Sequence, residues 1–142
     1  MVKQLSVFIQ NRAGKIASIV KSLADAKVDI RAISIADTAD FGILRMLVDN
    51  IEVAKTTLSD LNCIISVNEV AVIAVPDVPG GVSGMLEFMA GEGIDIEYMY
   101  SLIRRDNAKA YMVIRTADEA KLQTVLENSN LETVSAANLG IG

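Results

Sequence analysis

Two short loops carry the residues best suited to binding chemistry. In the stretch Asp77-Val78-Pro79-Gly80-Gly81-Val82 an apolar run, VAVIAV, gives way to glycine, and a helix-like segment, MLEFMAGEG, follows. A helix start leaves backbone N–H groups without partners and carries a partial positive charge. Glycine lets a ligand approach that backbone closely, so a loop of this kind suits an anion. Asn11-Arg12-Ala13-Gly14-Lys15 occupies the same kind of place earlier in the chain, where Lys15 either assists an anion or is a surface charge. Each feature also has a plainer reading. Glycine and proline at a strand–helix junction serve the turn, and Asn11 and Asp77 can cap a helix. Residue types alone leave both readings open.

Other chemistries are poorly supplied. The chain has no histidine, no tryptophan and one cysteine, Cys63. Zinc sites and cysteine–histidine nucleophilic catalysis therefore fall away, and carboxylate-only catalysis is the least favoured reading. No carboxylate cluster has metal-ligand spacing. Gly80 to Gly84 is followed by no Gly-Lys-Ser/Thr, and Gly91-Glu92-Gly93 lacks a third glycine, so neither nucleotide motif is present. No catalytic residue, metal or cofactor is expected.

The whole chain sets wider bounds. Its 142 residues suit one domain or two very small ones, and half of them are hydrophobic. A net charge of −5 repels phosphate backbones, which argues against nucleic acid as a partner. No apolar run approaches the ~18–20 residues needed to span a bilayer, and the N-terminus is too polar for a signal peptide. A lone cysteine allows no intrachain disulfide, and the expected location is cytoplasmic.

The elements that must position the loops occur twice. Gly14 and Gly80 lie 66 residues apart, and at that offset Ile9 meets Val75, Val28-Asp29-Ile30 meets Ile94-Asp95-Ile96, Met46-Leu47-Val48 meets Met112-Val113-Ile114, and Ala54 meets Ala120. Two copies are expected, residues 1–68 and 69–142, the second with a short C-terminal tail. In the first, KQLSVFIQ alternates as a strand, Gly14 to Ala26 has helical spacing, IRAISIAD and ILRMLV are strands joined by a turn around Ala39 to Gly42, IEVAKTTLSDL is a helix and CIISV closes the copy. The second repeats the order with VAVIAV, VSGMLEFMAGEG, IEYMYSLI, AYMVIR, DEAKLQTVLEN and LETVS, and Arg104 to Asn107 reads as its hairpin turn.

The fold class is α+β, two ferredoxin-like βαββαβ units with antiparallel sheets and helices on one face. Leu5, Val7 and Ile9 should face the helices, with Gln4, Ser6 and Phe8 on the other side. In the second copy that outer set is Val70, Val72 and Ala74, wholly apolar, so the outer faces should be hidden, by the sister copy or another subunit. Asn68-Glu69 is the only polar break between the copies. The methionines at 85, 89, 99 and 112 read as core filling.

Asn11-Arg12-Ala13-Gly14 and Asp77-Val78-Pro79-Gly80 resemble the Asn/Asp-x-Pro-Gly loop that opens the first helix of ACT domains. Val28-Asp29-Ile30 and Ile94-Asp95-Ile96 resemble the hydrophobic-Asn/Asp-Ile motif that opens that family's second strand. The resemblance covers both copies. Ala13 stands where proline is expected, Lys15 where a small residue is commoner, and Asp29 and Asp95 where Asn is frequent, so the second loop is the better match.

The resemblance implies a stand-alone tandem ACT protein that binds a free amino acid or similar small ligand between paired units and regulates a metabolic enzyme allosterically, as a homodimer and without catalysis. On that reading the ligand sites are Asn11, Ala13, Gly14, Lys15, Asp29 and Ile30 in the first copy, and Asp77, Val78, Pro79, Gly80, Gly81, Val82, Asp95 and Ile96 in the second. Loop amides would take the carboxylate. Asp77 or Asp95 in the second copy, and Asn11 or Asp29 in the first, would take the ammonium. This requires the loop and the second-strand motif to lie at the same end of the sheet. The alternative is a ligand-free assembly module that docks on an enzyme. Tyr98 and Tyr100, matched by Ala32 and Ser34, line either a pocket or, the favoured reading, a subunit interface.

Overall fold

A computed structural model describes residues 1–10, 12–38, 41–104 and 108–142. Asn11, Ala39 and Asp40 of the first copy's expected loop and turn, and Arg105, Asp106 and Asn107 of the second copy's hairpin turn, lie outside the described residues.

The element order is β1 (Val2–Ile9), α1 (Lys15–Asp25), β2 (Ile30–Asp37), β3 (Gly42–Val48), α2 (Ile51–Asp60), β4 (Ile64–Pro76), α3 (Gly81–Gly91), β5 (Ile96–Ser101), β6 (Lys109–Thr116), α4 (Glu119–Glu127), β7 (Glu132–Thr133) and α5 (Ala136–Leu139). The chain divides into two compact units, one of Lys3–Asn68 with Leu139–Gly142 and one of Met1–Val2 with Glu69–Asn138. Both are α+β and antiparallel, with a βαββαβ order, as expected.

In the first unit the strand order is β2-β3-β1, and the opening stretch of β4, Ile64–Asn68, belongs to the same unit. Leu5, Val7 and Ile9 of β1 and Leu44, Met46 and Val48 of β3 meet Ile19 and Leu23 of α1 and Ala54 and Leu58 of α2 in one core. Alternation along the strands and helical spacing along α1 and α2 put those residues on facing surfaces. Burial of each large side chain there contributes about 1.5–3 kcal/mol. On the other strand face Gln4 and Ser6 are buried too, and Gln4 Nε2 donates to Ser6 Oγ at 3.3 Å. The tail joins this unit, with Ile51 N donating to Gly142 O at 2.7 Å and Gly142 N to Val48 O at 3.3 Å.

The second unit has the order β5-β6-β4 with β7 on the far edge of β4. Its core joins Ala71, Ile73 and Val75 of β4 and Met112 and Ile114 of β6 to Met85 and Met89 of α3 and Leu122 and Leu126 of α4. Val70, Val72 and Ala74, on the opposite face of β4, are also buried, so that strand is out of water on both faces as expected.

Three expectations change. First, the closing strand of one copy and the opening strand of the next are a single strand, β4, and Asn68-Glu69 does not interrupt it. Polar residues on a strand disturb pairing little, because the ladder is backbone. Second, the 66-residue offset does not hold throughout. Leu5 pairs with Met46 and Ala71 with Ile114, so Ala71 stands 66 residues after Leu5 while Ile114 stands 68 after Met46. The second hairpin is two residues longer, and from there Met46 matches Ile114 and Ala54 matches Leu122. Helix caps agree, since Asn50 caps α2 and Asp118, 68 residues on, caps α4. Third, the closing strand LETVS reduces to the two residues of β7, followed by the one-turn helix α5.

Candidate functional site

The glycine-rich loop of the second unit is built by close approach. β4 ends at Pro76, Asp77 N donates to Ala108 O at 2.8 Å, and the chain turns over Val78 and Pro79 to Gly80. Gly80 is left-handed, with φ 89° and ψ −9°. A side chain there is strained, so glycine is the residue that closes the turn without cost. Gly81 N then donates to Val78 O at 3.0 Å and Gly84 N to Gly80 O at 2.9 Å, the first bond of α3. A Cβ on Gly81 would lie 2.0 Å from the Pro76 carbonyl oxygen, so the helix start rests directly on the strand end.

The four long helices that flank the two sheets differ at their starts. Asn50 accepts from Val53 N at the start of α2 and Asp118 from Lys121 N at the start of α4, and each first turn holds an acid, Glu52 and Glu119. Neither α1 nor α3 has a side-chain cap or an acid in its first turn. The amides of Val82 and Ser83 have no carbonyl of their own helix to reach. The first turn of α3 thus supplies no carboxylate of its own to the positive end of the helix dipole.

An open cavity of about 580 Å³ lies beside the first turns of α3, lined by Gly80, Gly81 and Gly84 on the helix side. Val75, Met85 and Leu131 supply apolar wall, and Lys109, Asn130 and Glu132 form its polar margin beside Ala108. Lys109 Nζ donates to Glu132 Oε2 at 2.6 Å. The volume exceeds what a small organic ligand needs, and the mix of apolar wall with a few polar groups is what such sites have.

Of the second-copy residues expected from sequence, Gly80 and Gly81 line this cavity. Asp77, Val78 and Pro79 form the exposed outside of the loop, and Val82 packs on the core. Asp95 and Ile96 are elsewhere, which corrects the expectation that both motifs share one end. On β6, Lys109 pairs with Pro76 and Thr116 with Ile96, so the two motifs are separated by the whole strand, on the order of 20 Å. The reason is topological. The 11-residue helix α3, about 16 Å long, carries the chain back before β5 begins. Asp95 lines instead a cavity of about 180 Å³ with Gly93, Asp118 and Lys121, where Lys121 Nζ donates to Gly93 O at 2.8 Å. Within one unit Asp95 cannot hold the ammonium of a ligand at Gly80.

The first unit repeats the geometry with differences. Gly14 is left-handed with φ 84°, Lys15 N donates to Arg12 O at 3.2 Å, and Ser18 N to Gly14 O at 3.0 Å. Ala13 and Gly14 are exposed, Lys15 is half-buried, and Asn11 lies outside the described residues. Lys15 stands where the second unit has Gly81, so the glycine that lets α3 rest on the end of β4 has no counterpart in the first unit. Ile30 pairs with Val48, and Gly42, at the other end of β3, pairs with Ile9, so Asp29 too lies opposite its loop. Asp29 is engaged locally, 2.7 Å from Arg31 Nη1, while its own N–H donates to Asp49 Oδ1 at 2.8 Å.

Tyr98 and Tyr100 line neither cavity. Their rings stack on β5, centroids 6.4 Å apart, on the side opposite the core residue Met99. Sequence reasoning missed Lys109, Asn130, Leu131 and Glu132. The one signal available for Lys109 was its place at the start of the strand that pairs with VAVIAV. Among the described residues no group of three or more Cys, Asp or Glu side chains could hold a metal ion, and no helix is long and apolar enough to cross a membrane.

Comparison with known proteins supports one family. A family model described as "ACT domain pair" matches residues 1–141. The crystal structure of protein BT0572 from Bacteroides thetaiotaomicron is 35% identical, with a TM-score of 0.88 over 98% of this chain and 95% of that one. The ligand-free regulatory subunit of aspartate kinase from Thermus thermophilus has the same fold at 18% identity and TM-score 0.62, covering 88% of this chain and 90% of that one. Aspartate kinase from Synechocystis aligns at 22% identity and TM-score 0.57 over 89% of this chain and 25% of its own. No curated protein sequence matches. With both βαββαβ units and nearly every residue accounted for by that family model, this chain belongs to the ACT domain pair family.

Proposed function

We propose that the protein is a non-catalytic regulator that binds a free amino acid in the cavity at the start of α3. One observation carries the reading: a helix start with no side-chain cap and no acid in its first turn stands beside a cavity large enough for a small zwitterion. Gly80 and Gly81 bring the backbone of the helix start to the cavity wall with no side chain between, and an α-carboxylate is the ligand group such a backbone favours. The regulatory role is supported by the family, a member of which with the same fold is named as the regulatory subunit of aspartate kinase. Binding regulates only when the ligand distinguishes two arrangements of the protein. A homodimer is the assembly in which such arrangements would differ, and the cytoplasm is where free amino acid pools meet the enzymes they control. An assembly module without ligand would be expected to fill the loop with side chains, whereas Gly80, Gly81 and Gly84 leave it open.

The test is a thermal-shift screen of the free amino acids. A ligand at about a hundred times its Kd stabilises the folded state by about 2.7 kcal/mol, a shift of several degrees. No shift with any amino acid would refute the reading.

A further inference from the structure

We propose that the Lys109–Glu132 ion pair is the element that reads the ligand's two charges, and that the cavity it borders takes an amino acid with a neutral, aliphatic side chain. The inference rests on the amino-acid reading above and assigns its chemistry to named groups.

The placement comes from strand register. Lys109 stands opposite Pro76 on one side of β4, and Glu132 stands opposite Ala74 on the other. Their side chains cross the end of that strand and meet at 2.6 Å on the margin of the cavity. They are 41% and 55% exposed, so the pair contributes little to folding and can be opened without much loss. The fold does not require charge at these places. At the 68-residue separation that holds after the hairpin, the first unit has Phe41 and Ile64 there, which are apolar and 40% and 71% exposed. Lys109 and Glu132 are thus particular to the second unit.

An entering zwitterion can exchange partners with the pair and leave the charge balanced. Glu132 accepts from the ligand ammonium. Lys109, released, donates to the ligand carboxylate alongside the amides at the start of α3. Among the described residues that line the cavity, Lys109 and Glu132 are the only ionic groups, and once they hold the zwitterion none of the others offers a charged ligand side chain a counter-charge. Val75, Met85 and Leu131 offer an aliphatic one apolar contact.

The test is isothermal titration of the full chain with L-leucine, L-isoleucine, L-valine and L-methionine, and with L-glutamate and L-lysine. N-acetyl-leucine and leucinamide follow as probes lacking one charge each. Glu132→Gln and Lys109→Met are titrated in parallel, with circular dichroism confirming that each is folded. The expected result is binding of at least one aliphatic amino acid to the wild-type chain. Each variant should weaken it at least about tenfold, the effect of losing a charge-assisted hydrogen bond, and the single-charge analogues should not bind. Unchanged affinity in both variants would overturn the role of the ion pair while leaving the amino-acid reading intact. Tighter binding of glutamate or lysine than of every aliphatic probe would overturn the ligand class alone. Failure of the whole amino acid set against the wild-type chain would overturn both.

Discussion

The contact between Gly81 and Pro76 makes the sharpest prediction, because a neighbouring glycine one turn along serves as its control. A Cβ at Gly81 would lie 2.0 Å from the Pro76 carbonyl oxygen and 3.1 Å from its carbon. An ordinary carbon–oxygen contact is about 3.4 Å, so Gly81→Ala must push a strand end and a helix start apart by more than an ångström. The obstructing atoms are backbone and cannot swing aside as a side chain would. Overpacking typically costs about 1–3 kcal/mol, and this case belongs at the upper end. Gly84, in the same helix, has nothing within 4 Å of its added Cβ. Gly84→Ala should therefore stabilise by up to about 1 kcal/mol, through helix propensity and a less flexible unfolded chain. With a urea m-value of about 2 kcal/mol/M, the midpoint should fall by about 1 M or more for Gly81→Ala and rise by up to about 0.5 M for Gly84→Ala. Circular dichroism at about 222 nm is a suitable signal, since the chain has no tryptophan. A Gly81→Ala midpoint at or above the wild-type value, or a Gly84→Ala midpoint below that of Gly81→Ala, would refute the reasoning.

Asn50→Ala and Asp118→Ala each remove a side-chain cap and should cost about 1 kcal/mol by urea titration. Gly80→Ala forces a side chain into left-handed backbone at φ 89° and should destabilise by about 1–2 kcal/mol, with Gly80→Asn milder, again by urea midpoint. Asp95→Ala should leave amino-acid affinity within about twofold by titration calorimetry, because Asp95 lies at the other end of β5 and β6 from Gly80; a tenfold loss would place Asp95 in the site after all.

Local features were legible and long-range ones were not. Helical spacing after Gly14 and Gly80 and alternation in LSVFI located α1, α3 and β1 to within a residue or two, and the apolar run VAVIAV located the second half of β4, because each pattern is set by a few consecutive side chains. The inward set Leu5, Val7 and Ile9 followed from the same alternation. The longer second hairpin was hidden because Met-Leu-Val and Met-Val-Ile agree in chemistry at the wrong offset, and only cross-strand register exposes the slip. The separation of Asp95 from Gly80 is a consequence of chain path, which a motif on its own does not carry. Lys109 and Glu132 are far apart in sequence and meet only because β6 and β7 flank β4. Neither residue belongs to a local pattern that would have singled it out.

On the proposed reading, the duplication does not duplicate the candidate site. Where the second unit has Gly81, the first has Lys15, a residue with a long charged side chain at the first position of its helix. Where the second has Lys109 and Glu132, the first has Phe41 and Ile64, and Phe41 packs edge-on against Phe8 with centroids 5.8 Å apart. An apolar margin gives a zwitterion's charges nothing in exchange for their water, and desolvating a charge without a partner is costly. The helix start alone is common to both units, and it is insufficient if the ammonium has no acceptor. Calorimetry of the wild-type chain should then give one amino acid bound per chain, and Glu132→Gln should abolish that single event. A second site of comparable affinity, surviving Glu132→Gln, would show that the left-handed glycine and the bare helix start suffice without the ion pair.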